Sequence, residues 1–237
     1  MEFRVLYQDQ HLVAIHKPAG ILVHRTGISA DRVFVLQELR NQLGQHVYPV
    51  HRLDRGTSGV LVFALGPDSA RAIQAELESE RSRKTYLAIV RGWLPDAGRI
   101  DKPLQKDGTG ELQEALTTYR SLAKGELPIA VDRYPTARYS LAEVTLHTGR
   151  MHQIRRHFDH LRHPVIGDFK HGDRHHNHAW QTHFACESMH LHAFRLVLPH
   201  PYSTAILDLQ TPPDEPMMAA FGRLGWDWDQ ILDKVLY

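Results

Sequence analysis

Residues 51–59 read HRLDRGTSG, which sets one carboxylate, Asp54, between Arg52 and Arg55 with a turn directly after it. A carboxylate beside guanidinium groups is favoured in its charged form. That suits Asp54 to act as a nucleophile or an electrostatic stabiliser and unsuits it as a general acid. A structural ion-pair node would use the same residues, so the rest of the sequence must decide between the two.

Two further stretches carry unusual side chains. In TGRMHQIRRH (148–157), Thr148 and Gly149 read as a sharp strand-to-helix transition, and the open N–H groups of a helix start favour anions. Arg150 stands at that start. Arg155 falls about 100° around the helix from Ile154, at the edge of the apolar stripe, where it could reach a cleft. Two such arginines suit phosphate recognition, although ordinary surface arginine has the same appearance. In HPVIGDFKHGDRHHNH (163–178), the histidines at 171, 175, 176 and 178 lie near Asp168 and Asp173 and invite a metal. Gly167, Gly172 and Asn177 break the stretch, however, so no helix is expected to present paired ligands, and no metal site is expected. A loop carrying Lys170 over a nucleic-acid groove is the preferred reading.

The elements that position these residues follow from periodicity. Strands are expected at 3–7 and 11–16, with a turn at KPAG (17–20). A helix is expected over 31–43 on Val33, Leu36, Leu39 and Leu43, stopped by Gly44. Strand 60–65 leaves the HRLD loop. Asp68 or Ser69 should cap a helix that buries Ala70, Ile73 and Leu77. Strand 86–94 follows, and 101–118 reads as an irregular connection or hairpin region. Strand 141–147 leads to a helix from about Met151 that buries Ile154, Phe158 and Leu161. Strands 191–199 and 205–209 complete the set. Many short strands with a few helices predict an α+β fold with mainly antiparallel pairing.

Composition bounds the function. The chain has 237 residues, 42% of them hydrophobic and 23% charged, as in ordinary globular proteins. No apolar run reaches the roughly 18–20 residues of a membrane span. The opening residues contain no apolar export core, and Cys186 stands alone, so a reducing, cytoplasmic setting is expected. The net charge of +1 hides a division: residues 150–178 hold six Lys/Arg, eight His and three Asp, while residues 208–237 hold six acids against Arg223 and Lys234. A local basic field of this kind attracts polyanions.

Taken in order, KPAG (17–20), HRLDRGTSG (51–59), KTYLAIVRG (84–92) and GRMHQIRRH (149–157) resemble the motifs of the RluA family of pseudouridine synthases. YPTARYSLAE (134–143), HLRHPVIGDFKHGD (160–173) and LHAFRLVLPHP (191–201) extend the resemblance over nearly the whole chain. It implies a mixed, mainly antiparallel sheet in two halves with flanking helices and a central catalytic cleft. It further implies that Asp54 is catalytic, that Tyr86 lies against the uracil ring and that Arg155 pairs with the catalytic carboxylate. Arg52 would fill the space of a base flipped out of the RNA. Arg55, Arg150 and Lys170 are the remaining expected RNA contacts. Many relatives add an N-terminal S4 module; here the catalytic pattern begins at residue 3, so one catalytic domain over 1–237 is expected. The substrate implied is tRNA, at uridine 65, with ribosomal RNA or another tRNA position as the alternative. No obligate protein partner is expected.

Pseudouridine formation breaks C1′–N1, turns the uracil and joins C5 to C1′. Nothing is oxidised and no bond energy is imported, so no cofactor is expected; no dinucleotide-binding or phosphate-loop signature is found. A paired uridine must leave its stack first, at a cost of a few kcal/mol. Asp54 could then attack C1′ or promote loss of the 2′ proton through a glycal. Two rival classes remain: a glycoside or nucleoside hydrolase, which needs a second, protonated carboxylic acid, although no partner such as Glu143 has a motif to recommend it, and a non-catalytic RNA-binding module.

Overall fold

The computed structural model describes residues 1–24 and 32–236. Its elements run β1 (Val5–Gln8), β2 (Leu12–Lys17), α1 (Val35–Leu43), β3 (Tyr48–Pro49), β4 (Ser58–Ala64), α2 (Pro67–Glu78), β5 (Arg83–Arg91) and β6 (Ala97–Asp101). They continue with β7 (Leu104–Gln105), β8 (Leu112–Gln113), β9 (Leu116–Leu127), β10 (Ala137–Leu146), α3 (Gln153–His160), α4 (Arg174–Phe184), β11 (Leu191–Pro199), β12 (Ile206–Gln210), α5 (Glu215–Leu224) and α6 (Trp228–Leu236). The class is α+β, as expected. Among the described residues no helix is long and apolar enough to cross a membrane. The chain divides into two compact units, Met1–Lys84 with Ala193–Pro213, and Thr85–His192 with Asp214–Tyr237.

In the first unit the strand order is β1-β2-β4-β11, with β3 on β4 and β12 on β11. The pairs β1–β2, β2–β4, β3–β4 and β11–β12 are antiparallel. Strands β2 and β4 are buried along almost their whole length, which is why LVAI and VLVFA read as continuous apolar runs. Their side chains meet Ile73 and Leu77 of α2 and Leu196 and Leu198 of β11 in one core. Gly59 enters β4 at φ +117°, and a Cβ there would stand 2.2 Å from the Ala193 carbonyl oxygen. No other residue fits.

Two helix expectations need correction here. The helix expected over 31–43 begins at Val35, and Asp31 lies outside the described residues. Its buried stripe is Val35 and Leu39, while Val33 is exposed, because that residue precedes the helix. Gly44 ends it in the left-handed region, as expected. Helix α2 has no side-chain cap; it starts from Gly66 with Pro67 in its first turn, where the missing N–H costs nothing, so Asp68 and Ser69 lie inside it.

In the second unit β5, β10, β9 and β6 are neighbours in that order. β10 pairs with β9 antiparallel over ten residues, and the register slips between Leu141 and Ala142. β6 also pairs with β9 antiparallel. The core joins Ala88 and Val90 of β5, Tyr119 of β9, Val144 of β10, and Ile154 and Phe158 of α3. The stretch 101–118, expected as an irregular connection or hairpin region, holds the β7–β8 hairpin and the start of the twelve-residue β9.

Candidate active site

The HRLD loop lies in the first unit and is tied down on several sides. His51 accepts the Val62 N–H on Nε2 at 3.0 Å, so its ring is the neutral tautomer with its proton on Nδ1. Burial, with help from the Lys84 charge, pushes that imidazole down to about 3. Leu53 is buried, and the Thr57 N–H donates to the Asp54 carbonyl at 3.1 Å to make the turn. Lys17, the last residue of β2, is completely buried. Its ammonium donates to the carbonyls of Pro18 (2.9 Å), Arg55 (3.2 Å) and Thr57 (2.8 Å). The KPAG turn closes on the same loop: the Gly20 N–H donates to the Arg55 carbonyl at 2.8 Å, and Arg55 Nε donates to the Gly20 carbonyl at 3.0 Å. The backbone around Asp54 is therefore fixed, while the Asp54 side chain is half-buried and Arg52 and Arg55 are exposed. Motifs more than thirty residues apart thus form one loop cluster.

The second unit holds the other expected residues. Tyr86 sits half-buried on β5 against the core that includes Tyr119 and Phe158. The GRMHQIRRH motif begins in the turn after β10 and runs into α3, but the helix starts at Gln153 rather than Met151. Gln153 explains this. Its buried amide accepts from Thr148 Oγ1 at 2.8 Å and from the Arg150 N–H at 3.0 Å, and it donates to the Leu116 carbonyl and Thr117 Oγ1. The Arg150 N–H expected to face an anion is thus used inside the turn, and Arg150 Nε donates to the Glu114 carbonyl at 2.9 Å. His152 occupies the helix N-cap at φ 55°, a conformation rare for residues other than glycine.

Arg155 is 8% exposed, and its Nε and Nη2 make a two-point contact with Asp168 at 2.7 and 2.8 Å. Burial works against the Asp168 charge, but the Arg155 hydrogen bonds and the His171 N–H leave its carboxyl below the ordinary range. Asp168 Oδ1 also accepts the N–H groups of Lys170 (2.9 Å) and His171 (3.0 Å). Lys170 is exposed, with its ammonium 3.9 Å from Asp107.

The histidine-rich stretch departs from expectation. Asp173 accepts from the N–H groups of His175 and His176 and caps α4, so residues 174–178 form a helix and not a loop. Gly172 lies before the cap, and Asn177 is buried inside the helix, where its side chain binds the Gly167 N–H and the Asp168 carbonyl. His171 and His176 are engaged with His152 and Tyr139, at 2.9 and 3.1 Å. Among the described residues no three His, Cys, Asp or Glu side chains gather as a metal site. Sequence reasoning passed over Lys17, His51, Gln153 and the Asp168–Arg155 pair. A lysine closing an apolar strand was the visible signal for Lys17, and an Asp between a glycine and a basic turn was the signal for Asp168.

The model of the family described as RNA pseudouridylate synthase matches residues 11–160, which take in parts of both units. The chain is 46% identical to the tRNA pseudouridine synthase C of Pasteurella multocida, over 98% of this chain and 100% of that protein. It is 48% identical to the protein of that name from Pectobacterium carotovorum, over 94% of this chain but 62% of that longer protein. Among solved structures, human RNA pseudouridylate synthase domain containing 1 shares the fold at a TM-score of 0.74 and 22% identity, covering 98% of this chain and 94% of that one. The HRLD loop with its lysine clamp, the matched residues and these relatives lead to one conclusion: the chain belongs to the RNA pseudouridylate synthase family.

Proposed function

We propose that the chain isomerises a uridine of tRNA to pseudouridine, at uridine 65, with Asp54 as the catalytic residue. The family membership and the relatives' names support the reaction and the RNA class; the position within tRNA rests on the motif resemblance. Asp54 acts at C1′ as C1′–N1 breaks. The uracil turns, C5 joins C1′, the C5 proton departs and N1 takes one up, so the atoms balance without a co-reactant. Tyr86 faces the uracil and Arg155 supplies the guanidinium that accompanies the reacting carboxylate. Arg52 fills the place of the everted base, and Arg55, Arg150 and Lys170 contact RNA. Residues 1–237 act as one catalytic domain in the cytoplasm, where tRNA is, without an obligate protein partner.

One observation carries the reading: the chain anchors His51 before Asp54, immobilises the backbone of Arg55 and Thr57 after it through Lys17 and Gly20, and leaves Asp54 half-buried. Fixed geometry around a reacting group is what catalysis by positioning requires. The hydrolase alternative gains nothing, because Glu143 is buried and accepts from Arg120 Nε at 2.9 Å.

The test is tritium release from tRNA carrying [5-³H]uridine. Asp54→Ala should fall to background while still binding tRNA; substantial turnover by that variant refutes the assignment, and release of free uracil by the native chain would indicate a hydrolase. Mapping pseudouridine in tRNA from cells with and without the gene tests the position.

A further inference from the structure

We propose that Asp168 is the positioning residue for Arg155, fixing the direction in which that guanidinium presents itself to the reaction. The inference rests on the role given to Arg155 above and extends the site by one residue.

The geometry is specific. Arg155 Nε and Nη2 both face Asp168, along the edge of the guanidinium that matches a carboxylate. With that edge held, the plane and azimuth of the group are set, and Nη1 points away from the pair. The Asp168 side chain is 0% exposed, so it does not itself meet substrate. Its own direction is fixed too: Oδ1 takes the N–H groups of Lys170 and His171, and Asn177 Nδ2 donates to its carbonyl at 2.9 Å. A second tie joins the same two segments, His152 Nδ1 to His171 Nε2 at 2.9 Å. A buried ion pair adds little stability over well-packed apolar residues, so energy alone is a weak reason to keep one here. Orientation of a functional group is a sufficient reason.

Asp168→Asn separates the two duties of the carboxylate. Its Oδ1 can still accept the N–H groups of Lys170 and His171, but its amide replaces Oδ2 and turns a donor towards the Nε–H of Arg155. The variant should keep the turn and lose the fork. In tritium release, kcat should drop roughly a hundredfold, the scale of a misplaced group, while KM for tRNA stays within about threefold. Combined with Arg155→Ala, it should add no further loss, because both changes remove one function. A native kcat in Asp168→Asn while Arg155→Ala is slow overturns the proposal, and so do losses that multiply in the double variant. Arg155→Lys leaves Asp168 untouched and settles the matter if Asp168→Asn does not fold: it keeps the charge without the fork. It should lose kcat with KM preserved, and full activity in it overturns the proposal. Failure of the wider reading looks different, since it would appear as turnover by Asp54→Ala.

Discussion

Lys17 closes a strand of apolar residues, yet its ammonium lies in the interior, encircled by carbonyls from two motifs that the sequence separates by more than thirty residues. Only a side chain with several donors on a long arm can do this. Lys17→Met keeps the volume and strands those oxygens, so it should destabilise by about 3 kcal/mol. Thermal unfolding should fall by roughly 6–12 °C. The charged setting of Asp54 is legible from its neighbours in the chain; the buried bonds of Lys17 and of the Asp168–Arg155 pair are not. Charge next to charge is visible in a sequence. The carbonyls that Lys17 engages, and the carboxylate that Arg155 grips thirteen residues away, are set by the fold.

At the scale of elements, the apolar strands and the turn at KPAG were readable because burial and glycine leave local marks. Helix α4 was not, since HHNH is polar and its start signal, Asp173, sits in a run that resembles metal ligands. Strand β9 hid for another reason. The alternation of Thr117 and Tyr119 breaks where its register with β10 slips, so Leu122 falls out of phase. Helices α5 and α6 went unread behind the acidity of the tail. Asp173 both caps α4 and pairs with Arg91. Asp173→Ala should therefore cost about 2 kcal/mol, more than a cap alone. Amide exchange in the first turn of α4 should quicken more than exchange in α3; equal change in both helices would place the effect elsewhere.

The molecule as a whole carries a built-in sensitivity to acid. Burial pushes the imidazoles of His51 and His190 down to about 3, and that of His176 to about 4. Each folded value lies below the unfolded value of about 6.5. Their contribution is present in full above that value and is lost as pH falls towards the folded values, since the unfolded chain binds the extra protons. Stability should decline from about pH 6.5 downwards, by up to about 4 kcal/mol per pH unit where all three count. Urea unfolding followed from pH 8 to 4 checks this, and a flat profile would refute it. Gly59 and Gly167 set a different boundary. At Gly167 a Cβ would stand 2.0 Å from the Ser188 carbonyl oxygen, as tight as the corresponding approach at Gly59. Anyone redirecting this scaffold to another RNA by randomised libraries should hold both codons constant and spend diversity on the solvent-facing Phe169 and Lys170, where the backbone is already braced and new side chains have room.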